Sequence, residues 1–167
     1  MYPEIYDYSR YRQSERGKKR PGAQGFQCMW CQAHIYTQRF ISGVQNRNHC
    51  PYCLHSRHVD LEQAGDRLSA CKAVMQPIGL TVKHSRNRYA NDASGEMMLI
   101  HRCNGCGKIS INRIAADDLV DKLMEIFLSS IRLDPITLDQ LDLYGIRTLK
   151  QDDVKLVSRQ LLGLLAI

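Results

Sequence analysis

The chain has 167 residues and a formal charge of +6, from 23 Lys and Arg against 17 Asp and Glu. Its length suits one main domain with extensions. No apolar run approaches the ~20 residues of a membrane span, and the start has no apolar signal core, so the expectation is a cytoplasmic protein with no membrane segment. Six of the seven cysteines fall in Cys-x-x-Cys pairs, and only Cys71 stands alone. That usage points to metal binding in a reducing compartment rather than to disulfides.

The charge is unevenly spread. Residues Met1–Gly25 carry +3, Phe26–Ala115 carry +6 and Ala116–Ile167 carry −3. A basic front and middle with an acidic tail favours a polyanion partner, nucleic acid being the common one. These three stretches are also the expected domain organisation: an arm at 1–25, a two-zinc core at 26–115 and a helical extension at 116–167.

Residues Met1–Gly25 show neither helical nor strand period. Tyr2, Tyr6, Tyr8 and Tyr11 precede Arg16, Lys18, Lys19 and Arg20. Basic arms with interleaved aromatics settle on phosphates and stack on bases; a solvated tail is the alternative.

Two Cys-x-x-Cys pairs follow, Cys28–Cys31 and Cys50–Cys53. The two-residue gap lets both sulfurs of a tight turn face one ion, and two such knuckles close a tetrahedral thiolate site. Between them Ile35–Ile41 reads as a strand, with Ser42 and Gly43 as a turn. Arg47 and Arg57 flank the second knuckle, and His49 and His55 lie close enough to support its ligands.

The stretch Arg47-Asn-His-Cys-Pro51 resembles the motif that names the RNHCP-domain family of small bacterial proteins. His58-Val-Asp60, Gly65-Asp-Arg67, Cys71, Met75, Pro77, His101-Arg-Cys103, Cys106-Gly107 and Asn112-Arg113 continue the resemblance in order. It covers roughly Phe26 to Asp118. It implies a zinc-binding module and no particular activity.

Leu61–Pro77 reads as a short helix with Asp66 as N-cap and Pro77 as its end. Ile78–Lys83 reads as a strand, Arg86–Gly95 as a polar loop, and Glu96–Arg102 as the returning strand of a hairpin. That strand runs into a third knuckle, Cys103–Cys106, and Ile109–Arg113 follows as another strand. Strand, knuckle, strand is zinc-ribbon order.

The third knuckle needs two more ligands. Cys71 is one candidate, although a lone cysteine also packs well in a core. With no eighth cysteine, the fourth ligand should be histidine. His101 lies two residues before Cys103 on a strand, about 6.5 Å away at ~3.3 Å rise per residue. His58 has no such restriction, and Asp60 could accept its other ring N–H. The favoured ligand set is therefore Cys28, Cys31, Cys50 and Cys53 for one zinc, and His58, Cys71, Cys103 and Cys106 for a second.

Residues 115–132 read as a helix, with Leu119, Val120, Leu123, Ile126 and Phe127 on one face. Asp117 and Asp118 suit its positive end better than they suit a catalytic pair. Thr137 caps a short helix that Gly145 stops. Asp152 and Asp153 open a last helix carrying Val154, Val157, Leu161, Leu164 and Leu165, which packs on its own domain or makes a protein or dimer contact.

The expected class is α+β, a small zinc-ribbon-like β core with two zinc sites, short helices and a helical tail. No His-x-Glu deaminase signature, Gly-rich phosphate loop or nucleophile motif is present, so the expectation is a binding protein rather than an enzyme. Structured RNA or a ribosome-associated particle is the favoured partner. Arg16, Lys18, Lys19, Arg20, Arg39, Arg47, Arg57, Arg86, Arg88, Lys108 and Arg113 are its candidate contacts. A dimeric DNA-binding regulator and a zinc-rigidified adaptor are the alternatives.

Overall fold

A computed structural model describes residues 25–84 and 95–163. The basic arm up to residue 24, the loop at 85–94 and the final Leu164 and Leu165 lie outside the described residues. The elements are β1 (Gly25–Gln27), β2 (His34–Tyr36), α1 (Arg39–Ser42), β3 (Ser56–Arg57), β4 (Val74–Lys83), β5 (Glu96–Cys103), β6 (Ile109–Arg113), α2 (Val120–Ser130), α3 (Pro135–Leu143) and α4 (Val154–Leu162). β1 and β2 form a small hairpin, and β3-β4-β5-β6 form an antiparallel sheet in that order. The class is α+β, as expected.

β5 is the central strand. Six of its eight residues, Met97–His101 and Cys103, are buried, as a strand covered on both faces requires. Adjacent side chains on a strand point to opposite faces, so Leu99 and Ile100 divide the apolar interior in two. Leu99 packs with Leu80, Met97, Leu123 and Phe127 of α2, Leu149 of the following connection, and Val157 of α4. Ile100 packs with Ile109 and with Leu141 of α3. The tail helices therefore lie on the sheet, while Leu128, Ile136, Leu143 and Leu162 stay exposed on them.

β4 begins earlier than its sequence implies and runs through Pro77. Pro77 pairs with His101 and Gly79 with Ile100, so Ile78 is an extra residue, a β-bulge. The bulge lets Ile78 face the α3 side while Leu80 joins the α2 side. A Cβ on Gly79 would lie 3.1 Å from the Cβ of Ser130, so glycine there admits the end of α2. β3 covers β4 only at Val74 and Met75. Further along, the Leu149 N–H donates to the Leu80 carbonyl at 2.8 Å and covers part of the open edge.

Three local expectations change. Ile35–Ile41 is a three-residue strand followed by the one-turn α1, because β2 pairs only as far as β1 reaches. The helix expected at Leu61–Pro77 is absent: Asp66 accepts the N–H groups of Leu61, Glu62, Gln63 and Leu68 and holds a loop. Those four bonds also keep its carboxyl below the usual carboxylate range, the Gln63 and Glu62 N–H groups most of all. α3 is capped by Asp134, which accepts the Thr137 N–H and hydroxyl at 2.9 and 2.7 Å, so Thr137 supplies the donors instead of the cap. Gly145, at φ 66°, ends that helix as expected.

Phe127 is fully buried between the sheet and α4. Phe127→Ala should lower unfolding free energy by about 3–5 kcal/mol through lost apolar burial and a residual cavity. Ile136, 78 % exposed on α3, should change stability by less than about 0.5 kcal/mol when truncated to Ala. Urea denaturation of the metal-loaded protein measures both.

Candidate metal centres

All three Cys-x-x-Cys pairs sit at hairpin tips of one design. The residues flanking the tips pair as Gln27 with His34, His49 with Ser56 and Arg102 with Ile109. In each, the N–H of the first cysteine donates to the carbonyl five residues on: Cys28 to Ala33, Cys50 to His55, Cys103 to Lys108. In each, the N–H four residues on donates back to the first cysteine's carbonyl, from Gln32, Leu54 and Gly107. Those three residues all take the left-handed conformation, at φ 61°, 61° and 75°. Only Gly107 does so without steric cost; at Gln32 and Leu54 the turn carries about 1–3 kcal/mol of strain each.

The first cluster joins two of these tips. Cys28 Sγ lies 3.5 Å from Cys53 Sγ, and Cys31 Sγ 3.6 Å from Cys50 Sγ. All four sulfurs lie within 4.8 Å of one another. A tetrahedral shell with metal–sulfur bonds of ~2.3 Å separates its sulfurs by about 3.8 Å, so the donor set fits one such ion. Burial pushes the Cys50 thiol up to about 11 and raises Cys53 as well. At Cys31 burial opposes ionisation, yet the Ala33 N–H and the neighbouring thiols leave it below the ordinary thiol value. A divalent cation would displace the remaining protons, because thiolate is the form that binds metal.

The second cluster takes the third tip and two residues from elsewhere. Cys71 Sγ is 3.6 Å from Cys103 Sγ, and His58 Nδ1 is 3.3 Å from Cys106 Sγ. These four donors also lie within 4.8 Å of one another. Cys71 is thus no core filler; it is exposed and faces the third tip. Gly105 makes room for it, since a Cβ there would sit 3.2 Å from Cys71 Sγ and 2.8 Å from the Ala73 methyl. The loop carrying Cys71 is tied to His58 in both directions, by His58 N–H to Ala73 O and Lys72 N–H to His58 O. Burial, then Lys108, lowers the His58 pKa and favours the neutral ring that ligates metal.

His58, and not His101, is the histidine at this cluster. His101 is fully buried, and its Nε2 lies 2.7 Å from the Leu54 carbonyl, which can only accept. Its Nδ1 is 2.8 Å from the Asn112 amide nitrogen. Both ring nitrogens are therefore committed, as donor and acceptor of a neutral imidazole. Burial, with His49 beside it, pushes its pKa down to about 3. The expected second role for Asp60 is not found: its carboxylate accepts the Gly65 and Arg67 N–H groups, and His58 Nε2 is buried with no partner among the described residues.

The Arg47-Asn-His-Cys-Pro51 stretch turns inward. The Arg47 side chain is wholly enclosed. Its Nη1 donates to both Asp117 oxygens at 2.7 Å, Nη2 to Asp118 at 3.0 Å, and Nε to the His49 carbonyl at 3.1 Å. His49 Nε2 donates to the second Asp118 oxygen at 2.8 Å. Asn48 donates to Asn112, the same residue that holds His101. The Leu119 N–H goes to the Pro51 carbonyl. Arg47 therefore leaves the candidate surface cations, and Asp117 and Asp118 bind the second tip instead of opening a helix. α2 starts only at Val120 for that reason. No single-residue signal marked this pairing; its partners lie 70 and 71 positions apart.

The other cations fall in three groups. Arg39 and Arg57 are exposed, the latter with Nε on the Lys72 carbonyl. Arg113 pairs loosely with Glu96 at 3.1 Å, and Lys108 Nζ reaches the Leu61 carbonyl. Arg16, Lys18, Lys19, Arg20, Arg86 and Arg88 lie outside the described residues. His55 serves the first cluster sideways: its ring stacks on Trp30 at 4.3 Å and 4°, and its Nδ1 donates to the Cys53 carbonyl at 3.0 Å. Among the described residues no helix is long and apolar enough to cross a membrane.

The family model described as the RNHCP domain matches residues 23–124, more than half of the chain and every residue of both clusters. No curated protein and no solved structure matches it.

Elemental analysis of protein made in metal-replete cells should find two divalent ions per chain. His58→Ala should lose one, whereas His101→Ala should keep both and lose stability. The reverse pattern would make His101 the ligand. Arg47→Ala should destabilise by about 3–5 kcal/mol, because it leaves the buried Asp118 carboxylate without its guanidinium partner.

Proposed function

We propose that this chain, which belongs to the RNHCP-domain family, is a zinc-stabilised nucleic-acid-binding protein whose ligand is structured RNA. Two donor sets of four thiolates, and of three thiolates with one imidazole, suit tetrahedral zinc above the oxygen-seeking divalent ions. Neither set holds a spare position for substrate when filled, which supports a structural role for the metal and a binding role for the chain. Seven free thiols suit a reducing compartment such as the cytoplasm.

The observation that carries the nucleic-acid reading is the surface of the first module. From Arg16 to Val59 the chain has no Asp or Glu. It has seven Lys and Arg there; among the described ones, Arg47 is neutralised from outside by Asp117 and Asp118, and Arg39 and Arg57 stay exposed. Trp30, Tyr36, Phe40 and Tyr52 are all about half exposed or more on the same module. Cations among open aromatic faces are the composition of a single-strand or loop-binding platform.

The metal shifts this charge and sets its limits. Four thiolates around a divalent ion leave −2, and three thiolates with an imidazole leave −1. The +9 of residues 1–115 becomes about +6 in the zinc-loaded protein.

Binding to folded RNA, single-stranded RNA and duplex DNA across a salt series tests the reading. Affinity should fall by roughly 0.7–0.9 log units per phosphate contact for each tenfold rise in salt. Folded RNA with unpaired loops should bind best, and removing residues 1–20, with six cations, should flatten the slope. Equal affinity for all three would reduce the reading to bare electrostatics. A preference for a palindromic duplex by a dimer would make the chain a DNA regulator, and no binding at physiological salt would make it a protein adaptor.

A further inference from the structure

A cavity of about 330 Å³ opens beside the first metal cluster. A larger one, about 590 Å³, lies between the far end of β4 and α4, where Arg147 is already engaged by Asp153. The smaller cavity has the more selective chemistry. Its walls include Phe26, Trp30, His55, Arg57 and Arg67, and no carboxylate. It is at the lower end of the range that takes small organic ligands, the size of one nucleotide.

The aromatic wall is rigid. Trp30 sits between Cys28 and Cys31, and His55 follows Cys53, so closure of the cluster fixes both rings. They stack nearly parallel at 4.3 Å, while Trp30 remains 59 % exposed, leaving the indole face away from His55 open. With Nδ1 donating to the Cys53 carbonyl, His55 keeps Nε2 as a hydrogen-bond acceptor. The cationic wall is equally ready. Arg57 uses Nε on the Lys72 carbonyl, which leaves its two terminal nitrogens, and Arg67 has only a 3.8 Å pairing with Asp60. Gly25 and Phe26 complete this side of the cavity.

A flat open ring beside two guanidinium groups suits a flat, aromatic, anionic ligand. An acidic peptide would use the cations and leave the ring idle. The geometry points to a binding site for one unpaired nucleotide of an RNA strand, its base stacked on Trp30 and its phosphate between Arg57 and Arg67. This rests on the nucleic-acid reading above and names the site and the form of RNA.

Trp30 is the sole tryptophan, so tryptophan-selective excitation, which leaves the eight tyrosines dark, makes the fluorescence of the full-length, zinc-loaded protein report this ring alone. A single-stranded RNA oligonucleotide should quench it, whereas a blunt, fully paired RNA of equal charge should bind without quenching. Trp30→Ala should weaken single-strand binding roughly 5- to 150-fold, the loss of one stacked base. Tyr144→Ala, exposed elsewhere, should leave it unchanged. Arg57→Gln with Arg67→Gln should lower the single-strand salt slope by about 0.7, the one phosphate held between them. Metal content and circular dichroism establish that each variant is folded, and wild-type quenching stands as the readout if Trp30→Ala is not. RNA binding with unchanged Trp30 emission would overturn the proposed site and leave the RNA reading intact. No RNA binding in any form would sink both, and quenching by poly-glutamate but not by RNA would assign the cavity to an acidic protein partner.

Discussion

Everything distal to the first metal cluster depends on one enclosed guanidinium. Arg47 leaves the second knuckle, passes into the interior and meets two carboxylates from the segment between β6 and α2. With His49 sharing Asp118, four side chains close a network around the enclosed guanidinium. Such networks contribute little net stability compared with an apolar replacement, but half of one is strongly destabilising. What Arg47 supplies is position. It sets where the chain after β6 turns, and hence where α2 lies on β4 and β5.

The same network explains why the knuckles are not interchangeable. Each tip repeats one backbone design, yet only the second adds inward links from Asn48, His49 and Pro51. It stands between the first cluster and the central sheet. Leu54, in the left-handed turn, is also a fully buried member of the main apolar core, and its carbonyl fixes His101. Metal geometry and core packing therefore share a residue, and disturbance of one reaches the other through a single peptide unit.

Where the controlling interactions were local, the residues revealed them. The three knuckles, the β5–β6 hairpin around the third and the α2 face all follow from spacing and period. His58 emerged from a distance argument along a strand. The structure gives that outcome a second cause, since His101 has both nitrogens occupied. Where partners were remote, residue type misled. Arg47 looked like a surface cation because arginines usually are, and Asp117–Asp118 looked like a helix start. Asp66 has the chemistry of a cap, and it does cap four N–H groups, but of a loop. A helix over 61–77 would not let His58 and Cys71 converge; the chain uses Arg67 and Lys72 at positive φ to turn them together. The cavity beside Trp30 is not legible in sequence, since its walls come from five separate stretches between Gly25 and Arg67.

The two donor sets differ in how far they reach along the chain. The first is complete within residues 28–53, whereas the second waits from His58 to Cys106. Synthesis proceeds from the N-terminus, and short loops close at lower entropic cost than long ones. A nascent chain therefore owns a finished first binding site while β4, β5 and the tail helices have yet to be made. The aromatic and basic face takes shape first, and the long-range sheet is assembled afterwards onto a unit already cross-linked by its metal.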